Sequence, residues 1–407
     1  MSRKSALGAL SASNGVFESA TRRIAGTTKR TFSCSAQRNA SIAHFTPTSS
    51  KQLDELLSMI RHKIILPSYL PTEQRKKIFS PKYEKKLQSD PITIEIDDEV
   101  LKFRYQNLFT DVPQTRRSVV TAISQFETRA DFANLRPLLE GVAEAGRKFP
   151  HDYYAKILRV VGAKGHVYEM IECARGVART GYRLDSSEKA NELLHFVQMK
   201  AINSEWDEAQ TQKALRWAEM VLELLQEEAH QPRRRKDDPV LEGELSLYRD
   251  PIALLAPLHL AAVLVAKHGA EGEALEKLAK YAKDVIRLWP EGKKLTEVQP
   301  KELYENQDKM RYLLEPNKFV ALAAPLLYGL ETAVGTANVV DSELARQLQS
   351  RRDILAAEVR EARAAAAEKK PEGRGERVYR QLFENGEPAY GLQVEEPAED
   401  AAQGGRE

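Results

Sequence analysis

The feature that most constrains the fold is a repeat: residues 118–187 contain two consecutive segments that align when the sequence is shifted by 35 residues. The shift superposes residues of similar character, namely Ile123 on Leu158, Phe126 on Val161, Phe132 on Val167, Leu135 on Met170, Val142 on Val177, Ala143 on Ala178 and Gly146 on Gly181. A repeat of this length is typical of stacked helical hairpins. Because one hairpin cannot cover its own apolar stripe, neighbouring hairpins are expected to pack against each other.

Each segment divides into two helical patterns. In the second segment the first helix is indicated by apolar residues at i, i+3, i+4 and i+7, which are Tyr154, Ile157, Leu158 and Val161. After a break at residues 162–165, the same spacing recurs in Met170, Cys173, Ala174, Val177 and Ala178. Gly146 and Gly181 stand where helices end on a left-handed residue. The candidates for capping the helices that follow are Asp152, and then Asp185, Ser186 or Ser187.

The segment "YYAKILRVVGAKGHVYEMIECARGVARTGYRLD" resembles the pentatricopeptide repeat family, and "GRKFPHD" and "GYRLD" resemble its links between repeats. The resemblance implies binding of single-stranded RNA in organelles, with side chains near the start of each first helix and in the link reading one base per repeat. Asp185 fits the link position. Ala155 and Val120 stand where the family favours Asn, Thr or Ser, so a solenoid that binds protein, or the RNA backbone without sequence choice, stays open.

A third and more degenerate unit is expected from Glu188. Its first helix is indicated by Leu193, Leu194 and Phe196. Its second helix is indicated, after an insertion at residues 204–211, by Ala214, Trp217, Ala218, Val221 and Leu225.

Residues 1–43 are basic, rich in Ser, Ala and Thr, and contain one acidic residue, Glu18. This composition is typical of a disordered mitochondrial transit peptide, with cleavage expected near Phe32 or Asn39. A disordered basic tail is the alternative. A secretory signal is not expected, because there is no apolar core of the required length.

The rest of the chain divides by composition. Residues 44–117 are expected to form a helix followed by a small β-hairpin, because residues 92–105 alternate between apolar and polar side chains. The helical repeats occupy 118–230. Residues 231–250 form a linker with a basic cluster that could neutralise RNA phosphates, consisting of Arg233, Arg234, Arg235 and Lys236.

The C-terminal part is expected to be helical. Residues 251–340 resemble tetratricopeptide-type hairpins, with buried helices in place of membrane spans. Residues 341–370 form one long charged helix, whose second half is expected to project into solvent or lie on a partner. Residues 371–407 are expected to be a mostly disordered acidic tail, within which a short helix could dock through Val378, Leu382 and Phe383.

No catalytic or cofactor-binding motif is present, including the phosphate-binding loops, the GxSxG elbow and HExxH. His166, His195 and His259 lie in a turn or beside apolar residues and are interpreted as structural. Cys34 and Cys173 cannot form a disulfide framework or a cysteine-based metal site. We therefore expect a protein that is not an enzyme and has no cofactor or metal.

These observations predict a mainly α protein, an α-solenoid of helical hairpins with a small N-terminal β-hairpin and a long C-terminal helix. The expected partner is mitochondrial RNA or a ribosomal particle, with a protein partner on the solenoid surface as a further option. The candidate RNA-binding residues are Lys156, Arg159, Lys164, Asp185, Arg233, Arg234, Arg235 and Lys236. The alternative is a protein-binding scaffold, such as a respiratory-complex assembly factor. The expected location is the mitochondrial matrix, with peripheral attachment to the inner membrane as an option.

Overall fold

A computed structural model describes residues 42–96, 99–233, 241–337 and 341–390, and these residues are mainly helical. The segment predicted to be a transit peptide lies almost entirely outside the described residues. Its last two residues, Ile42 and Ala43, are 2% and 9% exposed and belong to the folded part. The folded part therefore begins slightly before the predicted boundary.

The N-terminal region carries a small core of its own. Its helices and strands are α1 (Lys51–Ile60, continued by a π-helical turn at Arg61–Ile65), α2 (Thr72–Ile78), α3 (Glu84–Ser89), β1 (Ile92–Ile96) and β2 (Glu99–Phe103). The buried residues of this small core are Ile42, Leu66, Leu70, Ile78, Leu87, Leu101 and Phe103. The hairpin thus obtains from α2 and α3 the packing partner that a two-stranded ribbon requires.

The predicted β-hairpin is confirmed. β1 and β2 pair antiparallel, with Ile92 opposite Phe103 and Ile96 opposite Glu99. Asp97 and Asp98, between the two strands, lie outside the described residues. Leu101 and Phe103 face the core, whereas Val100 and Lys102 are exposed, as the alternating sequence predicts.

The repeat region is helical throughout. It contains α4 (Thr115–Gln125), α5 (Arg129–Ala133), α6 (Leu135–Glu144), α7 (His151–Ala163), α8 (Val167–Arg175) and α9 (Val177–Thr180). Gly146 and Gly181, which the shift superposes, both have a φ of 69°. Ser186 caps the next helix by accepting a hydrogen bond from the backbone N–H of Lys189. Both segments are therefore helical and end at equivalent glycines, although each contains three helices where two were expected.

Two local predictions in the repeats were wrong. Val177 and Ala178 were expected to continue the buried face of α8, but Val177 is half-buried and Ala178 is exposed. The cause is a break at Gly176, which separates α8 from α9 and ends the helical phase. Asp152 does not cap α7, because Pro150 is the N-terminal cap and Asp152 lies inside the first turn.

A third helical pair follows, formed by α10 (Ser187–Asn203) and α11 (Glu208–Leu224). The expected insertion is absent, since only residues 204–207 connect these two helices. α4 contacts α7, and α7 contacts α10; likewise α6 contacts α8, and α8 contacts α11. Each pair thus packs on the next through equivalent helices.

The C-terminal part is organised around one central helix, α15. Its helices are α12 (Pro251–His268), α13 (Glu273–Leu288), α14 (Lys301–Glu305), α15 (Pro316–Ala337), α16 (Ser342–Lys369) and α17 (Arg374–Phe383). α15 packs against α12, α16, α17 and α10. Pro325 lies inside this helix without ending it.

Two of these helices are apolar and long enough to cross a membrane by composition alone. α12 and α15 have mean hydropathies of 1.5 and 1.4 over an 18-residue window. However, 78% and 67% of the respective windows are buried inside the folded chain. Core helices of soluble proteins have these same properties, so the feature is weak evidence for a membrane span.

The second half of α16 is attached to α17 through Arg363, whereas its last residues, 367–369, are exposed as expected. Arg363 donates two hydrogen bonds to the Glu376 carboxylate of α17, at 2.7 and 2.8 Å. Its guanidinium also lies 4.0 Å from the ring centre of Tyr379. Residues 371–390, within the segment predicted to be mostly disordered, are therefore folded through the docked helix α17, while residues 391–407 lie outside the described residues.

Two buried polar side chains attach the N-terminal segment to the first repeat. Asp131 accepts hydrogen bonds from the backbone N–H and the hydroxyl of Ser49, at 2.8 and 2.7 Å. Asn134 accepts from the N–H of Thr46 at 2.8 Å and donates to its carbonyl at 3.0 Å. Burial opposes ionisation of the Asp131 carboxyl, but the backbone N–H groups of Thr128, Glu127 and Ser49 outweigh it and hold its pKa well below the usual range.

We expect Asp131→Asn to lower the free energy of unfolding by about 1–2 kcal/mol at pH 7, because an amide cannot accept all these hydrogen bonds. A carboxyl whose pKa is lowered by folding stabilises the protein above its unfolded pKa of about 3.9. That contribution is lost as the pH falls towards the folded pKa. In urea denaturation from pH 5 to pH 2, the free energies of unfolding of the wild type and of Asp131→Asn should therefore converge. A difference that stays constant over this range would contradict the assigned role.

Candidate functional site

The candidate RNA-binding residues on the second repeat lie on or directly after α7, and two of them have internal partners. The Arg159 guanidinium donates to Glu188 at 3.0 Å and lies 3.7 Å from the Glu192 carboxylate. Both acids belong to α10, so Arg159 links two successive helical pairs. Its side chain is 31% exposed, so part of it can still be reached from solvent.

Lys164 caps the end of an earlier helix. Its ammonium group donates hydrogen bonds to the carbonyl oxygens of Ser124 and Phe126, at 2.7 and 2.5 Å. These carbonyls lie at the C-terminal end of α4, where a helix carries partial negative charge. Lys156 is exposed and forms no ion pair with any described residue.

Asp185 lies in the link between the second and third helical pairs and pairs with Lys189 and with Arg183, whose Nε lies 3.4 Å from a carboxylate oxygen. The link is packed against the residues after α11, since the backbone N–H of Leu184 donates to Nδ1 of His230 at 3.0 Å. Tyr182 and Leu184 are fully buried. The Asp185 carboxylate is therefore part of the folded interior of this link.

The predicted basic cluster is only partly described. Arg233 is exposed, and Arg234, Arg235 and Lys236 lie outside the described residues. Among the five described candidates, Arg159, Lys164 and Asp185 have partners within the chain, whereas Lys156 and Arg233 are exposed. A role for the eight candidates in RNA contact stays a prediction.

His195, His259 and the described cysteine lie in the core. His195 Nε2 lies 2.8 Å from the hydroxyl of Tyr390, and His259 Nδ1 lies 2.8 Å from the amide oxygen of Gln198. Burial lowers the pKa of both imidazoles, so both are neutral at pH 7. Cys173 is fully buried, and burial raises the pKa of its thiol. Within the described ranges, no cluster of three or more His, Cys, Asp or Glu side chains could hold a metal ion.

Two shallow depressions flank α1. One, of about 320 Å³, is lined by residues that include His44, Asp54 and Arg61, and the other, of about 570 Å³, by residues that include Lys51 and Lys63. Asp54 accepts a hydrogen bond from the backbone N–H of Thr48, and His62 is bonded to the carbonyl of Ser58. These polar groups thus have structural partners within the chain.

The N-terminal region contains several cations without an acidic partner among the described residues. Residues 72–90 contain six Lys or Arg against three Asp or Glu, in a chain that is nearly balanced overall at 61 against 59. The basic side chains of residues 75–104 that form no ion pair with described residues are Arg75, Lys77, Lys82, Lys85, Lys86, Lys102 and Arg104. The sequence does not distinguish such a group from ordinary solvated lysines, because the distinction depends on where the acids lie in space.

Comparison with known proteins is decisive for the family. Residues 30–381 match the protein family described as mitochondrial ribosomal protein mS27. The small ribosomal subunit protein mS27 of Neurospora crassa is 37% identical over 329 residues, which cover 78% of this chain and 83% of the relative. The chain therefore belongs to the mitochondrial ribosomal protein mS27 family.

Proposed function

We propose that this protein is a structural component of the small subunit of the mitochondrial ribosome. The family match over most of the folded chain carries this assignment. It agrees with the prediction of a mitoribosome-associated protein that supports mitochondrial translation. The alternative of a respiratory-complex assembly factor has no comparable support.

The packing of the helices is consistent with an architectural, non-enzymatic role. Three helical pairs stack through equivalent helices, from α4 to α11, and α12 continues the contact from α11. We propose that they form a short α-solenoid similar to pentatricopeptide and tetratricopeptide arrays, whose extended surface would hold ribosomal RNA or protein. Lys156 and Arg233, both exposed, are the described candidates whose side chains are free to contact RNA phosphates.

The proposed location is the mitochondrial matrix. The composition of residues 1–43 supports import by a transit peptide, and the family match begins within this segment, at residue 30. Peripheral attachment to the inner membrane is not part of the proposal.

We expect the tagged full chain, expressed in its own organism, to co-sediment with small ribosomal subunits from lysed mitochondria on a sucrose gradient. The sedimentation should shift to the top of the gradient after digestion with ribonuclease, because the particle depends on RNA. A mitochondrial enzyme of similar mass serves as the unbound control. Recovery of the protein only in the light fractions of intact lysate would refute the assignment.

A further inference from the structure

A rigid turn in the N-terminal region presents an aromatic side chain to solvent. Phe109 is 95% exposed and its neighbour Leu108 is 48% exposed. The turn, residues 107–111, is braced from inside: the Asn107 side chain accepts from the N–H of Phe109 at 2.9 Å, and the Asp111 carboxylate accepts from the N–H of Asn107 at 2.9 Å. These hydrogen bonds hold the backbone of the turn in a conformation that presents the Phe109 ring to solvent.

The turn is attached to the most basic part of the region. The backbone N–H of Gln106, just before the turn, donates to the carbonyl of Ile78 at 2.8 Å. Ile78 ends α2, whose last turn carries Arg75, Lys76 and Lys77. The turn that carries Phe109 is therefore joined to the basic end of α2 by a backbone hydrogen bond.

The neighbouring elements contribute further cations. β2 runs directly towards the turn, and its outward side carries Val100 and Lys102, continued by Arg104. On α3, Leu87 is buried in the small core while Lys85 and Lys86 are exposed. Lys76 pairs with Glu73, whereas the seven unpaired cations named above have no acidic partner among the described residues. We call these seven cations, together with Phe109 and Leu108, the N-terminal basic face; the same elements also carry the exposed acids Glu84, Asp90 and Glu95.

The chemistry of this face fits single-stranded RNA. Unpaired cations gain free energy by replacing the counterions of phosphates. An exposed aromatic ring among them can stack on an unpaired base, which is how single strands are recognised without sequence-specific hydrogen bonds. By contrast, two of the cationic candidates of the repeats already have partners: Arg159 is bonded to Glu188, and Lys164 is bonded to the end of α4.

Resting on the ribosomal function proposed above, we propose that the N-terminal basic face binds an unpaired segment of RNA, with Phe109 stacked on a base and the cations of α2, α3 and β2 on its phosphates. The contact surface is thus the region of α2, α3 and the hairpin, which lies before the repeats in the chain. A protein partner or an anionic membrane would contact the same residues without base stacking, and the experiment below distinguishes these partners from RNA.

The test measures the affinity of the full chain for a fluorescein-labelled, unstructured 20-nucleotide RNA between 50 and 200 mM salt. Phe109→Ala should weaken binding about tenfold with little change in the salt dependence, because stacking is not ionic. Lys82, Lys85 and Lys86 replaced together by Gln should reduce the slope of log affinity against log salt by about 2, at about 0.7 per lost phosphate contact.

Matched controls lie elsewhere on the surface. Leu314→Ala removes an exposed apolar side chain (55% exposed), and Lys280, Lys283 and Lys293 replaced by Gln remove three exposed cations. Both should leave RNA affinity unchanged. The inference would be overturned if the control and test variants lost RNA affinity equally, or if the test variants lost none. So would binding of vesicles that contain anionic phospholipid without binding of the RNA.

A second measurement uses native small subunits irradiated with ultraviolet light. The peptide that contains Phe109 should carry a nucleotide adduct, and its crosslinking to a protein in place of RNA would overturn the inference. Failure of the wild-type chain to sediment with the small subunit would refute the ribosomal function itself. Co-sedimentation of the wild type, combined with unchanged RNA affinity of the variants, would refute only the placement of the RNA surface.

Discussion

Arg374→Ala is expected to lower the free energy of unfolding by about 3 kcal/mol, because it leaves a buried carboxylate without its main partner. Glu192 on α10 is fully buried and accepts two hydrogen bonds from the Arg374 guanidinium, at 2.8 and 2.7 Å. After the substitution, only Arg159, at 3.7 Å, remains near its charge. Urea denaturation followed by circular dichroism at pH 7 measures the loss.

The same guanidinium holds the C-terminal end of the described chain. Its Nε donates to the hydroxyl of Tyr390 at 2.6 Å, and this hydroxyl also lies 2.8 Å from Nε2 of His195 on α10. Arg374→Ala should therefore also increase proteolysis after α17. Truncation of the chain by limited digestion with chymotrypsin, which cleaves after aromatic residues such as Phe383 and Tyr390, is the second readout.

Arg380→Ala is the matched control, since Arg380 lies on the same helix, is 51% exposed and pairs with Glu376 at 2.8 Å. Arg380→Ala is expected to lower the free energy of unfolding by no more than about 1 kcal/mol, as is usual when an exposed ion pair is removed. The double variant with Glu192→Gln and Arg374→Met should recover part of the lost stability, because the unpaired charge is removed as well. Equal destabilisation by Arg374→Ala and Arg380→Ala would show that the buried pair does not anchor α17.

The helical pairs of the repeat could be predicted because their signals are local. Apolar residues spaced at three and four positions mark the buried face of α7, and Leu158 and Val161 are fully buried as that spacing requires. The glycines with positive φ mark the ends of the helical pairs. Such features depend on residues a few positions apart, so they can be recognised without knowledge of the tertiary structure.

The roles of the charged residues could not be predicted in the same way. Arg159 meets Glu188, 29 positions later, and Lys164 meets carbonyl groups about 40 positions earlier. The residues next to a cation in the sequence do not show whether its side chain bonds to a distant part of the chain or faces solvent. The candidate RNA residues were therefore chosen without the one fact that distinguishes them, which is the position of the acids and helix ends in the fold.

The C-terminal region shows the same limit. The second half of α16 is rich in alanine and offers little apolar area, so the sequence favours an exposed or partner-bound helix. Its packing combines contacts with α15, buried residues such as Val359, and the polar contacts of Arg363 with Glu376, Glu384 and the ring of Tyr379. The partners of Arg363 lie 13 and 21 positions away, beyond the range of helical periodicity.

Gly329→Ala is expected to lower the free energy of unfolding by about 2–3 kcal/mol, because α12 and α15 cross in close contact at this position. A Cβ atom at residue 329 would lie 2.4 Å from Cβ and 2.8 Å from Cα of His259. The backbone of α12 cannot move away freely, since the His259 ring is also bonded to Gln198 of α10. Thermal denaturation should show a lower midpoint for this variant.

Gly335→Ala in the same helix is the matched control, because no atom lies within 4 Å of its added Cβ. Alanine loses less backbone entropy on folding than glycine and favours the helix by about 0.5–1 kcal/mol. The two substitutions add the same methyl group to one helix. Changes of opposite sign in the free energy of unfolding would therefore identify the helix crossing as the cause. If Gly329→Ala were neutral or stabilising, the close approach of α12 and α15 would be incorrect, and with it the burial of the two most apolar helices against each other.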